Sequence, residues 1–175
     1  MTLRNRYWPR ACLTLLVAAG LLLGIGPARA EEPDGFDMLR EKWKELLTGG
    51  AGALSSDPDI ADRREAVDDL AMARRGTMLT APDRPCLWAD LCSATDSSHI
   101  TSAYARLKDM AVAYATPGSA LEGDAALRNE LLQALDWLAA NRYNAASVAY
   151  NNWWDWQIGV PLRLNDIMVL MYDDL

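Results

Sequence analysis

Between residues 36 and 171 the apolar side chains recur three and four positions apart, and no segment alternates apolar with polar residues. The first spacing stacks side chains on one face of a helix, whereas a half-buried strand needs a period of two. The chain is therefore expected to be all-α. Its breaks are short, and helices joined by short breaks tend to pack as antiparallel pairs.

The breaks can be placed one by one. Phe36, Leu39, Trp43 and Leu46 share a face in "FDMLREKWKELLTGG", and Gly49 and Gly50 end that helix. Asp57 caps the next helix and Pro58 takes its first position, ahead of Ile60, Val67 and Leu70; the helix stops near Gly76. Residues 80–96 carry two prolines and read as a connection. A third helix starts near Ser97 or Ser98, with Ile100, Tyr104, Leu107, Ala111 and Tyr114 on its stripe, and ends at Pro117-Gly118. Asp124 caps a fourth, whose face carries Leu127, Leu131, Leu135 and Leu138. Residues 141–159 are polar and irregular; Pro161 then opens a last helix through Leu164, Ile167, Met168 and Met171. That helix runs to "MVLMYDDL" without a glycine, a basic last turn or a polar tail, so residue 175 does not read as a natural domain end. A length of 175 residues fits one domain or part of a larger one.

Residues 1–30 read as a secretory leader. Arg4, Arg6 and Arg10 form a positive start, "ACLTLLVAAGLLLGIG" an apolar middle, and Ala28-Arg29-Ala30 a small-x-small cleavage pattern, so the mature chain is expected to begin at Glu31. The alternative is an uncleaved anchor, but the apolar run falls short of the roughly 20 residues a spanning helix needs. The expectation is a secreted protein with no stable membrane anchor after cleavage. Of the 17 basic residues the leader holds four, and none of the 24 acidic ones, so the mature chain keeps 13 basic residues and a net charge of −11. Phosphate binding needs clustered Lys and Arg, so nucleic acid is not an expected partner.

The mature part keeps two cysteines, Cys86 and Cys92. Export permits a disulfide, which so short a loop would make worth roughly 2 kcal/mol. A straight helix would hold the two α-carbons about 9 Å apart, too far to bridge. A bridge therefore requires a turn in "CLWADLC"; the alternative is two buried thiols.

The stretch "YNNWWDWQIG", residues 150–159, holds three of the seven tryptophans. On a helix or a strand, Trp153, Trp154 and Trp156 cannot all face one way. Burying all three would also bury Asn151, Asn152 and Asp155 beside them. At least one tryptophan is thus expected to face solvent or a cleft. An indole exposed in a cleft suits the apolar face of a sugar ring, with asparagine amides reaching its hydroxyls or carboxylate. Core packing with one exposed ring is the other reading.

The same stretch, extended to "YNNWWDWQIGVPLRLNDIMVLMYDDL", resembles the signature of polysaccharide lyase family 8, which includes hyaluronate, chondroitin AC and xanthan lyases. "LWADL", "ITSAYARLKDMAVAYATPGSAL" and "ALDWL" with "NRYN" resemble the same N-terminal helical domain, so that the likeness covers roughly residues 34–175 and is strongest from 98 onward. The resemblance implies that residues 31–175 are the N-terminal part of an incomplete (α/α) toroid with a long cleft. It implies that Asn152 contacts an acidic polysaccharide of the hyaluronan, chondroitin or xanthan class and that Trp153 and Trp154 position its sugar rings. Asp155, Trp156 and Ile158 match the motif as structural residues, Trp156 turned inward.

The family cleaves uronate-containing polymers by β-elimination: a proton leaves C5 and the C4–O bond breaks. That chemistry needs a group to neutralise the carboxylate and a base–acid pair. The resemblance implies an Asn, a His and a Tyr, with arginines, on later helices, beyond residue 175. The one histidine, His99, lies upstream of the tryptophans and reads as a helix-start residue. Tyr104 and Tyr114 read as core, and Tyr143 and Tyr150 border the loop without a basic partner. Arg142 and Arg163 flank the motif, either as a local basic patch or as surface charge. Asp173 and Asp174 read as solvated, no cysteine–histidine spacing suggests zinc, and no cofactor is expected. The chain alone is expected to bind without catalysing. The alternatives are a non-catalytic secreted carbohydrate-binding protein, and a helical protein whose tryptophans are all core. A partial toroid would also leave an apolar helix face exposed.

Overall fold

The computed structural model describes residues 34–175; the leader read over residues 1–30 and the expected start at Glu31 lie outside the described residues. Helix α1 spans Gly35–Thr48. The Asp34 carboxylate accepts from the backbone N–H groups of Phe36 and Asp37, and the Asp37 carboxylate accepts from that of Asp34. This reciprocal cap satisfies donors that the first turn leaves without partners. Gly49 ends the helix with φ 81°, a left-handed conformation that glycine takes without a side-chain clash. Helix α2, Pro58–Thr77, starts at Asp57, whose carboxylate accepts from the Asp59 N–H. Helices α3, Ser98–Ala115, α4, Ala125–Asn141, and α5, Val160–Leu170, follow. Asp124 caps α4 by accepting from the Leu127 N–H at 2.6 Å. No strand occurs among the described residues.

Side-chain bonds give the helix directions. Asp68 of α2 accepts from Ser119 and Ala120, just past the end of α3, while Arg74 nearer the end of α2 reaches Asp109 of α3. These two helices are antiparallel. α4 also opposes α3: the Gly123 N–H donates to the Tyr114 carbonyl, and Tyr143 packs edge-on against Tyr104. α1 opposes α5, with the Trp43 indole N–H on Asp166 at 3.0 Å and Arg40 over the Tyr172 ring. By contrast α3 and α5 run parallel, joined in register by Ser97 and Thr101 with Asp155, Lys108 with Asp166, and Tyr114 with Asp174. α3 is thus the central helix, and Tyr104, Leu107, Met110 and Ala111 of it are buried with Leu127, Leu131, Leu138 and Ile167.

The expected stripes on α3 and α4 are the buried faces, except that Tyr114 and Leu135 are only partly covered. Elsewhere the structure differs. The α1 stripe of Phe36, Leu39, Trp43 and Leu46 is exposed, as are Ile60 and Leu70 of α2. α2 buries Asp68 and Ala71 instead, because Asp68 holds the turn after α3. Asp174 is not simply solvated: its carboxylate accepts from the Tyr114 hydroxyl at 2.9 Å and faces Arg128. Met168 is exposed. The last helical run begins at Trp153, not at Pro161, because a wide turn over Asp155–Gly159 carries it into α5 without a break.

The connection between α2 and α3 turns at Ala89–Leu91, where the α-carbons of Cys86 and Cys92 are 5.1 Å apart and the two sulfurs are bonded. Trp88 is fully buried between them, its indole N–H on the Arg74 carbonyl at 3.0 Å.

Burial pushes the Tyr104 phenol from its ordinary value near 10 up to about 12. The folded chain therefore keeps this proton when the unfolded chain releases it. The stability it contributes is complete below pH 10 and is lost as the pH rises from 10 through 12. Tyr104→Phe should move the alkaline unfolding midpoint, followed by circular dichroism, to higher pH; an unmoved midpoint would contradict the assignment.

Candidate functional site

Three tryptophans within four positions end in two environments. Trp153 is 61% exposed and Trp154 37%, while Trp156 is 8% exposed. The split arises because the segment is helical from residue 153 and its successive side chains point to different sides.

Asn151 turns the chain with φ 58°, a left-handed conformation that asparagine tolerates better than most residues. The Asn152 side-chain oxygen then accepts from the Trp154 N–H at 3.1 Å, the bond of a helix cap. The Asn152 side chain remains exposed, and among the described residues its amide N–H groups have no acceptor.

Asp155 is 4% exposed. One of its oxygens accepts from the Ser97 hydroxyl and the other from the Thr101 hydroxyl, both at 2.7 Å. Ser97 also accepts from the Asn152 backbone N–H at 3.1 Å. The first turn of α3 thus holds the start of the tryptophan helix by its polar groups. Trp156 holds the other side. Its indole N–H donates to the Tyr150 carbonyl, and its ring stacks on Tyr143 and meets Tyr150 edge-on. The Tyr143 hydroxyl donates to the Trp156 carbonyl at 2.9 Å.

Between these anchors the helix widens. The Val160 N–H donates to the Asp155 carbonyl, a five-residue bond in place of the usual four, and such turns recur at functional sites. The wide turn brings Gly159 beneath the Trp154 ring. A Cβ at 159 would lie 2.7 Å from the ring and 2.8 Å from the Thr101 hydroxyl oxygen. Arg163, bonded to the Gly159 carbonyl at 3.0 Å, sets its guanidinium 5.6 Å from the Trp154 ring centre. Gly159→Ala should therefore displace the Trp154 ring and cost about 1–3 kcal/mol through overpacking. Denaturant unfolding of the single variant and of the same change in a Trp154→Ala background measures this; equal costs in both would mean that the ring is not what meets the new methyl.

The structure brings Asn152, Trp153, Trp154 and Arg163 into one neighbourhood, with Asp155 and Trp156 buried behind them and Ile158 partly exposed. It does not bring Arg142 there: that guanidinium donates to the Ser93 carbonyl. His99 Nδ1 accepts from the Ser93 N–H at 3.0 Å, and its Nε2 lies 3.8 Å from Asp96, which makes it a clamp on the loop before α3. Sequence reasoning missed Ser97, Thr101 and Gly159. Four-residue spacing of two hydroxyls at a helix start, and a glycine five residues after Trp154, were the signals available.

The arrangement offers two indoles, one amide and one guanidinium on a rigid support. That set can grip a flat, partly apolar and partly charged ligand. Residues 43–175 match a family model described as polysaccharide lyase family 8, N-terminal α-helical domain. The chain is 42% identical to a xanthan lyase of Bacillus sp. (strain GL1), over 92% of this chain and 18% of that protein. It is 37% identical to a hyaluronate lyase of Thermasporomyces composti, over 93% of this chain and 20% of that protein. The solved structure of a Paenibacillus xanthan lyase superposes with a TM-score of 0.78 at 48% identity, covering 80% of this chain and 14% of that one.

Proposed function

Because the chain belongs to polysaccharide lyase family 8, through the N-terminal α-helical domain of its (α/α) toroid, we propose that it is the substrate-gripping part of an exported lyase that cleaves uronate-containing polysaccharide by β-elimination. The chain spans about a fifth of the length of the relatives named above. We assign the proton transfers to the part of such an enzyme that these residues do not cover.

One observation carries the reading. Two adjacent indoles stay exposed on a helix whose inner side is fixed by a buried carboxylate and a buried third indole. A ring that merely escaped the core would need no such support. Exposed Trp153 and Trp154 present apolar faces to sugar C–H groups, and the Asn152 amide donates to hydroxyl or carboxylate oxygens. Arg163 adds positive charge beside Trp154, which suits an acidic polymer.

Three of the described tyrosines are poorly suited to the base role. Tyr104 is buried and pushed up to about 12, away from the range useful near neutral pH. Burial also raises Tyr114, whose hydroxyl is taken by Asp174. Tyr143 is bonded to the Trp156 carbonyl.

The test is a titration of the purified chain with hyaluronan, chondroitin and xanthan oligosaccharides, followed by tryptophan fluorescence, with ultraviolet absorbance watching for unsaturated product. Binding without product is expected. Product formed by this chain would overturn the assignment of chemistry elsewhere, and no response to any of the three would overturn the platform.

A further inference from the structure

A cavity of about 480 Å³ opens on the loop that leads into the tryptophan helix, and neither Trp153 nor Trp154 lines it. Its size lies within the roughly 300–1,000 Å³ of small-molecule sites. Arg84, Trp137, Asn141, Arg142, Tyr150 and Trp156 are in its wall. The Arg84 guanidinium lies 5.7 Å from the Trp137 ring centre. Its terminal nitrogens donate to the carbonyls of Thr80, Ala81 and Gln133, and its Nε is buried without a partner. Arg142 donates to the Ser93 carbonyl.

Among the described residues neither guanidinium meets a carboxylate, whereas Arg74, Arg75, Arg106 and Arg128 each do. Asp83 and Asp136, next in sequence to Arg84 and Trp137, are exposed and pair with neither arginine. In a chain with a net charge of −7, two arginines left unbalanced around one cavity mark a place where negative charge is favoured. Asn141 is held by its own bond: its amide nitrogen donates to the Trp137 carbonyl at 2.8 Å, which leaves its side-chain oxygen as an acceptor.

We propose that this cavity is a second carbohydrate site, taking one carboxylated sugar unit of an acidic polysaccharide. Arg84 and Arg142 receive the carboxylate, Trp137 and Tyr150 line the ring, and the Asn141 oxygen accepts from a hydroxyl. The ligand class rests on the reading above, but the residues are different ones. Tyr150 and Trp156 belong both to this wall and to the support of the exposed indoles, so one polymer chain can engage both places.

The two sites have separate reporters. Indole N–H resonances of the isotope-labelled full chain can be followed by NMR with three probes: a glucuronate-containing hyaluronan tetrasaccharide, its carboxyl-reduced neutral counterpart, and acetate. The Trp137 resonance should move with the acidic tetrasaccharide and stay nearly still with the other two. Arg142→Gln should raise the Kd read at Trp137 about tenfold, the loss of one charge-assisted hydrogen bond. Arg84→Gln serves as the second variant should the first perturb the dispersed spectrum of the folded chain. Movement of Trp153 and Trp154 with Trp137 still would overturn the cavity site and leave the platform standing. Movement of Trp137 alone would uphold the cavity and overturn the platform. An equal response to acetate, or an unchanged Kd in the variants, would mean that the cavity does not recognise an acidic sugar.

Discussion

Trp153→Ala and Trp156→Ala are expected to fail in opposite ways, although they change the same residue type three positions apart. Trp153 projects into solvent, so its loss should change folding stability by no more than about 0.5 kcal/mol. Trp154 covers Gly159 and carries Arg163, and its loss should cost about 1 kcal/mol. Binding should suffer far more. Aromatic anchors of a binding surface cost about 2 kcal/mol or more when truncated, some thirtyfold in Kd, and the double variant should lose measurable affinity. Trp156 is buried against Tyr143 and Tyr150, and its removal leaves a cavity as well as a broken hydrogen bond. That should cost about 3–5 kcal/mol, enough to unfold a marginal chain. Thermal melts and oligosaccharide titrations of the variants separate the outcomes. If Trp153→Ala and Trp154→Ala unfold the chain, the tryptophans are all core and the platform is wrong. If they stay folded and bind as before, the ligand surface lies elsewhere.

Asp155→Ala is expected to show the second large effect, on stability and on affinity together. The substitution leaves two buried hydroxyls, Ser97 and Thr101, without their acceptor and frees the start of the tryptophan helix from α3. Hydrogen bonds to a charged group are worth about 1.5–3 kcal/mol each, and a buried donor left unpaired adds its own penalty. Non-additivity within one network keeps the sum near 3 kcal/mol. Asp155→Asn retains the shape and one acceptor oxygen and should lose about half as much. Urea unfolding with an unchanged m-value gives the number directly. The affinity of Asp155→Ala should fall at urea concentrations where the chain is still folded, because the indoles lose the carboxylate that fixes their helix. A variant as stable as the parent would show that the buried carboxylate supports nothing.

The second of these results depends on contacts between residues more than fifty positions apart. That distance marks the boundary of what could be read beforehand. The all-α class, the caps at Asp57 and Asp124, the stop at Pro117-Gly118 and the stripe from Ile100 to Ala111 were legible because each is local. The division of the tryptophans was legible in outline for the same reason, since helix geometry forbids a common face. The α1 stripe shows the limit. Phe36, Leu39 and Leu46 are spaced as a buried face is spaced, yet all three are exposed among the described residues. Periodicity says which side chains share a side and nothing about what lies across from them.

The sequence by itself determined where the first four helices start and stop, and that Trp153, Trp154 and Trp156 would part company. Those outcomes follow from backbone sterics, unsatisfied end groups and the helical period, all acting within a few residues. Only the tertiary structure decided that α3 and α5 lie side by side and parallel. That packing puts Ser97 and Thr101 against Asp155, and Lys108 on Asp166. Contacts of the α2–α3 connection with α4 and with Arg142 just after it left Arg84 and Arg142 facing one cavity without a carboxylate. The physical reason is that packing partners are chosen by the sum of many weak contacts over the whole chain, whereas helix ends are chosen by a few strong local ones.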